Sequence, residues 1–339
     1  MAKERLIKLP ETKGEFKLSG VVMGLAKDKA FQIGESQKGN QFKTLRFGVS
    51  TSMENTIYLD MGGYAKDQVL FYSRSEKTTE TVPFANRNSF KKEGYELIGI
   101  DVRLEKDKDG KSVKKMLTEL DSAEYTKENL KDGDSVFVLG ELEFSSFVKN
   151  GEKRRSKKYI PKRLYSAKKI DLEAEDFVEN CDFKQKIVYT GIEKNEDGTF
   201  TLSAKIVRYS TIEDVEFHIE NTKLASTIKK KIKPYTAMEV VGKLINKAVV
   251  EDVETAVDEW GDSDPFKQVK KVYDNKLMIT GVLADTFDTE TYTEKEIEET
   301  QKLLSNFGNQ NNQASVKSDD DDDWGDTGSK KGKEEEFEW

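Results

Sequence analysis

At 339 residues, 35% hydrophobic and 35% charged, the chain has room for two domains and a tail, and its polarity favours thin, β-rich domains with one wet face. A single cysteine, Cys181, and a single histidine, His218, exclude a disulfide framework and a four-ligand Cys/His zinc site. No run approaches the roughly 20 apolar residues that cross a bilayer, and the opening MAKERLIKLPETK has no hydrophobic stretch for a signal peptide.

The first half reads mainly as strands. EFKLSGVVMGLA (Glu15–Ala26) alternates at Phe16, Leu18, Gly20 and Val22. FKTLRFGVS (Phe42–Ser50) puts Leu45, Phe47 and Val49 on one face, and TIYLDM (Thr56–Met61) does so with Ile57, Leu59 and Met61. YELIGIDVRLEKDKDGKSVKKMLTEL forms two runs around Asp109-Gly110, a hairpin signal. SAEYTKENL (Ser122–Leu130) reads as a short capped helix. SVFVLGELEFSSFV and SKKYIPKRLYSAKKI follow, joined by a turn at Asn150-Gly151.

The second half repeats this order in shorter form. FKQKIVYTGI opens it, and Thr199–Tyr209 and Val215–Ile219 alternate as strands. NTKLASTIKKKIKP spaces Leu224, Ile228 and Ile232 four apart between an Asn/Thr cap and Pro234, which predicts a helix. AMEVVGKLINKAVV and NKLMITGVLAD are strands, YTEKEIEETQKLL is a helix, and SNFGNQNNQAS is a polar linker. Val136, Val138, Gly140 and Leu142 echo Met238, Val240, Gly242 and Leu244, with glycine mid-strand in both, where it marks a bulge or a barrel bend. Three strands, a helix and two strands is the order of the OB-fold. The fold expected is mainly β: two OB-like five-stranded barrels in tandem, followed by a disordered acidic tail. Residues 1–172 form the first, with an insertion at about 62–121; residues 173–305 form the second; 306–339 are linker and tail.

Charge divides along the same lines. The net of −8 is +9 over residues 1–170, −10 over 171–317 and −7 over 318–339. Catalysis finds no footing. His218 falls on the outward face of VEFHI, and Cys181 reads as a small structural residue. GESQKG (34–39) begins like a phosphate loop, but Asn40 and Gln41 stand where Lys and Ser/Thr are required. The Asp319–Asp323 run lacks the spaced ligands and glycine of a calcium loop. The expectation is a non-enzyme without metal or cofactor, cytoplasmic, with no membrane or small-molecule partner.

The alternation points instead to a binding face. Opposite the core lie Phe42, Thr44, Arg46 and Gly48 on one strand and Thr56, Tyr58 and Asp60 on the next. Phe42, Arg46 and Tyr58 are candidates for stacking bases and neutralising phosphate, as on the face of OB strands 2 and 3; the alternative is that the insertion covers them. The insertion offers Tyr72 and Arg74, and then a loop with Phe84, Arg87, Phe90, Lys91 and Lys92. Its rings either clamp a single strand or anchor the loop. The most basic stretch, FVKNGEKRRSKKYIPKR, is expected as a loop carrying Lys153, Arg154, Arg155, Lys157 and Lys158, with Phe144, Phe147 and Tyr159 nearby. In the second half the outward set is Thr201, Ser203, Lys205, Val207 and Tyr209, with acids close by, so any nucleic-acid binding there is expected to be weak.

The chain closes on two acidic clusters with aromatics: Asp319, Asp320, Asp321, Asp322, Asp323 and Trp324, then Glu334, Glu335, Glu336, Phe337, Glu338 and Trp339. With the OB-like order, this tail resembles that of bacteriophage and bacterial single-stranded-DNA-binding proteins, which join OB-folds to an acidic tail ending in an aromatic residue. Tryptophan replaces the usual terminal phenylalanine, and phage-type zinc ligands are missing. The resemblance implies sequence-independent coating and protection of single strands in replication, recombination or repair, in the host cytoplasm if phage-encoded, with the tail recruiting other replication and recombination proteins. Two other readings stay open: a DNA-mimicking or regulatory protein that blocks a nucleic-acid enzyme, and an RNA-binding protein.

Overall fold

The period-2 runs are strands in the computed structural model, which describes residues 7–36, 39–149, 152–250 and 271–312. The described residues form sixteen strands and three α-helices, so the chain is mainly β. In the first half, β1 (Gly14–Met23), β2 (Phe31–Glu35), β3 (Gln41–Ser50) and β4 (Thr56–Tyr64) precede five short strands: β5 (Gln68–Ser73), β6 (Thr78–Pro83), β7 (Tyr95–Leu97), β8 (Ile100–Arg103) and β9 (Lys115–Leu117). Helix α1 (Glu119–Asn129) and the long strands β10 (Ser135–Lys149) and β11 (Glu152–Ser166) complete it. The second half runs β12 (Cys181–Lys194), β13 (Phe200–Val207), β14 (Ile212–Ile219), α2 (Thr222–Lys231), β15 (Ala237–Val250), β16 (Lys271–Asp288) and α3 (Glu294–Asn312). Among the described residues no helix is long and apolar enough to cross a membrane.

The helices start where a side chain can accept the orphaned first-turn amides. Thr118 Oγ1 accepts from Asp121 N at 3.1 Å at the start of α1. Asn221 Oδ1 accepts from Lys223 N and Leu224 N at the start of α2. Helix α3 continues to Asn312, through the first residues of the segment expected as a linker.

In the second half, β12 pairs with both β13 and β15, β13 pairs with β14, and β15 pairs with β16. The ladder returns to its start through one parallel pair, His218↔Met278, between β14 and β16. The first half uses the same order, with β1 beside β10 and β3, and β3 beside β4. There β11 takes its parallel partner from the inserted β8, and β4 pairs only with β3. The expected closure into a five-stranded barrel therefore does not occur in the first half, because an inserted strand occupies the edge that would close it.

The repeated mid-strand glycines have one physical cause. The register shifts at Leu139/Gly140 and at Val241/Gly242. Phe16 on β1 lies opposite Gly140, and Phe183 on β12 lies opposite Gly242. A Cβ at Gly140 would come 2.5 Å from the Phe16 ring and would also strike the Ile160 carbonyl. One at Gly242 would come 2.7 Å from the Phe183 ring and would strike the Met278 carbonyl. Each half thus seats its first-strand phenylalanine on a mid-strand glycine, Phe16 of β1 on Gly140 of β10 and Phe183 of β12 on Gly242 of β15.

The two halves share one sheet. Gly14–Leu18 of β1 pairs antiparallel with Cys181–Gln185 of β12, with Phe16 opposite Phe183. On one side of this seam Asn55 Nδ2 donates to the Leu244 carbonyl, and Asn55 Oδ1 accepts from Asn246 N at 2.7 Å. On the other, Arg208 donates to Glu143 Oε1 and to the Phe144 carbonyl. The N-terminal Ile7 and Leu9 cross to the second half, where they pack with Val188, Val207, Tyr292 and Ile297. That cluster buries Val207, which the alternation had placed facing out; the N-terminal segment covers it, with Thr12 N donating to the Val207 carbonyl at 2.9 Å.

Candidate nucleic-acid interface

Leu45, Phe47 and Val49 of β3 and Ile57, Leu59 and Met61 of β4 are buried, so the even-numbered residues of both strands face out. Register sets Arg46 opposite Asp60, Gly48 opposite Tyr58 and Phe42 opposite Tyr64. The Arg46 guanidinium carbon lies 5.7 Å from the centre of the Tyr58 ring, and its Nε is 3.8 Å from Asp60 Oδ1. The Phe42 and Tyr64 rings meet edge-on with centroids 5.7 Å apart. Phe42 also lies over Gly34, where a Cβ would come within 2.5 Å of the ring.

Tyr64 is 49% exposed and was not among the residues read from the sequence. It stands beyond Gly62-Gly63, where the apolar alternation stops. Gly62 has φ 130°, and a Cβ there would collide with the backbone of Lys43 and Thr44, so glycine lets β4 continue beside β3 to Tyr64. The parity that places Tyr58 outward was the available signal.

The basic stretch expected as a loop is the outer part of a two-stranded ribbon, paired down to Lys149↔Glu152. Paired residues share a side, and successive pairs alternate. Phe147↔Arg154, Ser145↔Ser156 and Glu143↔Lys158 therefore lie on one side; Ser146↔Arg155, Phe144↔Lys157 and Leu142↔Tyr159 lie on the other. The first side borders the β3–β4 face. Burial pushes the Asp60 carboxyl above its ordinary range, the charges of Arg46 and then Lys158 pull it back, and Glu143 pushes it up. Phe147 is half-buried on the same side.

The second side turns toward the rest of the protein, and this removes four residues from the expected site. Phe144 and Tyr159 are core residues, 3% and 5% exposed, and Tyr159 meets Phe16 edge-on at 5.7 Å. Burial pushes the Tyr159 phenol up. Arg155 Nη1 reaches Glu216 of β14 at 2.8 Å. Lys157 lies 5.8 Å from the centre of the Tyr159 ring, its charge acts on His218, and burial pushes its ammonium down to about 8. For Arg155 and Lys157 the cause is β14 of the second half, which lies against this side of the ribbon; Phe144 and Tyr159 turn into the hydrophobic core, Tyr159 against Phe16 of β1. Lys153 occupies a β11 position opposite Val148, and its side chain is outside the described residues.

The stretch expected as a loop connects β6 to β7 through a short 3-10 turn at Phe84–Asn86, within an insertion that has a sheet of its own. Strands β6, β5 and β7 form a separate sheet whose own core is Val69, Phe71 and Val82, with Phe84 and Phe90 packed against it. Phe90 lies 4.5 Å from Phe71, centre to centre, so these two rings anchor rather than clamp. Arg87 stacks 3.9 Å over Phe84 and forks onto Asp121 of α1 at 2.6 and 2.8 Å, which holds that carboxyl below its ordinary range. Lys92 binds Glu80 at 2.6 Å over the Tyr95 ring. Tyr72, Arg74 and Lys91 are exposed. In the second half Lys205 is paired with Asp214 at 2.7 Å, and Tyr209 is exposed. Cys181 is buried against Leu244, its thiol pushed up to about 12 by burial. Asp319–Trp324 and Glu334–Trp339 lie outside the described residues.

A family model described as YorF matches residues 73–315. No curated protein matches the chain. Among solved structures, the chain is similar to the wild-type single-stranded DNA binding protein from Thermus aquaticus, with 10% identity over 81% of this chain and 93% of that one and a TM-score of 0.38. A deletion variant of the same protein matches with 14% identity over 80% and 94%, again with a TM-score of 0.38.

Proposed function

This chain belongs to the YorF family, and we propose that it binds single-stranded DNA without regard to sequence, coating and protecting the strand in replication, recombination or repair. The observation that carries this reading is the β3–β4 face, where the rings of Phe42, Tyr58 and Tyr64 stand beside Arg46 on a paired sheet, with Lys158 at its border. Each base stacked on such a ring is worth about 1–3 kcal/mol, and every base has a π-face, so stacking tolerates any sequence. The cations neutralise phosphate and make binding salt-dependent.

Strand order supports an OB-like reading of both halves: strands one, two, three, five and four in sequence around the second half, and the same order with β8 inserted in the first. In this reading, residues 1–172 carry most of the affinity and 173–305 serve as a second, acidic unit. The tail from Asp319 to Trp339 recruits replication and recombination proteins. The protein works by binding rather than catalysis, in the cytoplasm of its cell or host.

The test is a titration of labelled oligo-dT, oligo-rU and duplex DNA with the full chain at two salt concentrations. The expected order is oligo-dT over duplex by at least about tenfold, or 1.4 kcal/mol, with affinity falling as salt rises. Equal affinity for duplex and single strand refutes the reading, and a preference for oligo-rU reassigns the site to RNA.

A further inference from the structure

The seam between the halves carries a local two-fold relation. Phe16 of β1 and Phe183 of β12 are paired with each other, and the ladder is symmetric about them: Gly14↔Gln185 on one side is matched by Leu18↔Cys181 on the other. Under such a relation, what one half lays across the seam the other lays across in return. The β10–β11 ribbon crosses to β14, where Arg155 Nη1 meets Glu216 Oε1 at 2.8 Å. In return the β15–β16 ribbon crosses to the start of β4. Asn246 Nδ2 donates to the Thr56 carbonyl at 2.6 Å, Asn55 forms a bridge with Lys247, and Lys247 pairs with Glu54 at 3.2 Å.

Register identifies the residue that stands where Arg155 does. Counted from Gly140 and Gly242, the pairs Leu142↔Tyr159, Phe144↔Lys157 and Ser146↔Arg155 correspond to Leu244↔Leu277, Asn246↔Asn275 and Ala248↔Tyr273. Tyr273 is therefore the counterpart of Arg155, on the side of its ribbon that carries Asn246 toward β4. The counterpart of Glu216 follows from the other ladders. Val21 follows Phe16 as Val188 follows Phe183, and they lie opposite Ser50 and Lys205. Ser50 lies opposite Thr56 and Lys205 opposite Asp214, which makes Tyr58 the counterpart of Glu216.

The two crossings differ in chemistry. An ion pair locks the first. The second brings a ribbon tyrosine toward a face tyrosine, and the two rings do not touch. Tyr58 carries the Arg46 guanidinium 5.7 Å from its centre. The Tyr273 side chain is 59% exposed and makes no hydrogen bond or ring contact with the described residues. A free ring held at the border of a face that carries a second ring suits a planar group with two apolar sides, and a nucleobase is such a group.

We propose that Tyr273, from the second half of the chain, stacks a base of the single strand held on the β3–β4 face, so that both halves build one site. This rests on the single-stranded-DNA reading of that face. The second half then contributes a ring rather than charge, which its acidic surface does not oppose.

In the full chain with Trp260, Trp324 and Trp339 replaced by Phe, the indole introduced by Tyr273→Trp should be strongly quenched by saturating oligo-dT. With the native tryptophans in place, Tyr273→Ala should weaken oligo-dT binding about 5- to 150-fold, the span of base–aromatic stacking. Tyr273→Phe should keep most of the affinity. Tyr58→Ala, titrated alongside, reads the face itself. Lost affinity in Tyr58→Ala with unchanged affinity in Tyr273→Ala overturns the proposal and leaves the reading of the face standing. An indole that oligo-dT leaves unquenched overturns it even where Tyr273→Ala weakens binding, because the ring then acts through the fold. A wild-type chain that does not bind oligo-dT refutes both.

Discussion

Asp60 is a carboxylate set beside Arg46 on the proposed DNA face, and replacing it with Asn should tighten binding. The Arg46 Nε stands 3.8 Å from Asp60 Oδ1, so a phosphate held on the far side of the guanidinium lies about 7 Å from the Asp60 carboxylate. At effective dielectric constants between about 20 and 80, two like charges at that distance repel by about 0.6–2.4 kcal/mol. Asp60→Asn should therefore raise the affinity for oligo-dT roughly 3- to 50-fold at low salt, with a smaller gain as salt screens the repulsion. The pH dependence follows from the raised Asp60 carboxyl. The neutral acid forms more readily than in an ordinary aspartate, so wild-type affinity should climb as pH falls toward that raised value. The Asn variant should lack this component. Because the folded protein binds this proton more tightly than the unfolded chain does, the Asp60 contribution to stability falls as pH rises through the same window, and the variant should be no less stable at neutral pH. Fluorescence anisotropy with a labelled oligo-dT at several salt and pH values reads all of this. Unchanged or weakened binding by Asp60→Asn refutes the placement of phosphate at Arg46.

Three more perturbations test the geometry. Tyr58→Ala should weaken oligo-dT binding by about 1–3 kcal/mol with little change in the urea midpoint, whereas Tyr209→Ala, on the second half, should leave affinity close to wild type; the reverse pattern would move the site. Asn55→Ala strips partners from the Leu244 carbonyl and the Asn246 amide at the seam, a loss of about 2–4 kcal/mol readable by urea denaturation; an unchanged midpoint would mean that water replaces Asn55 without cost. Lys157, pushed down from 10.5 to about 8, binds its proton more weakly in the folded protein than in the unfolded chain, so stability should rise between pH about 8 and about 10.5; Lys157→Met should flatten that rise, and an identical profile in both proteins would show the ammonium to be solvated.

The seam changes what a mutation in either half can mean. Since β1 pairs with β12 and the β10–β11 ribbon lies against β14 through Arg155 and Glu216, the halves do not separate cleanly: residues 1–170 alone would lose the β12 partner of β1, the Arg208 bond to the Phe144 carbonyl and the Glu216 partner of Arg155. Full-length variants are therefore the sharper test of where DNA binds.

Local pattern in the chain sufficed for β3, β4 and β13 and for the caps at Asn221 and near Thr118, because a strand's alternation and a helix's first-turn amides are satisfied within a few residues. The same alternation gave the outward parity of Phe42, Arg46 and Tyr58, and composition alone marked the acidic, aromatic tail. Parity says which side of a strand a residue takes; it does not say what covers that side. Phe144 and Tyr159 left the candidate face because they turn into the core, Tyr159 against Phe16, and Arg155 because it reaches Glu216 of the other half, and Val207 was buried by the N-terminal segment, nearly 200 residues away in sequence. Phe84 and Phe90 became anchors because β5, β6 and β7 close a small core of their own. Tyr64 joined the face through its register with Phe42, beyond a glycine pair that ends the apolar pattern. Contacts at such separations depend on how sheets twist and meet, which leaves no periodic trace in the strands that make them, so the tertiary structure alone decided which of the basic and aromatic side chains stand together.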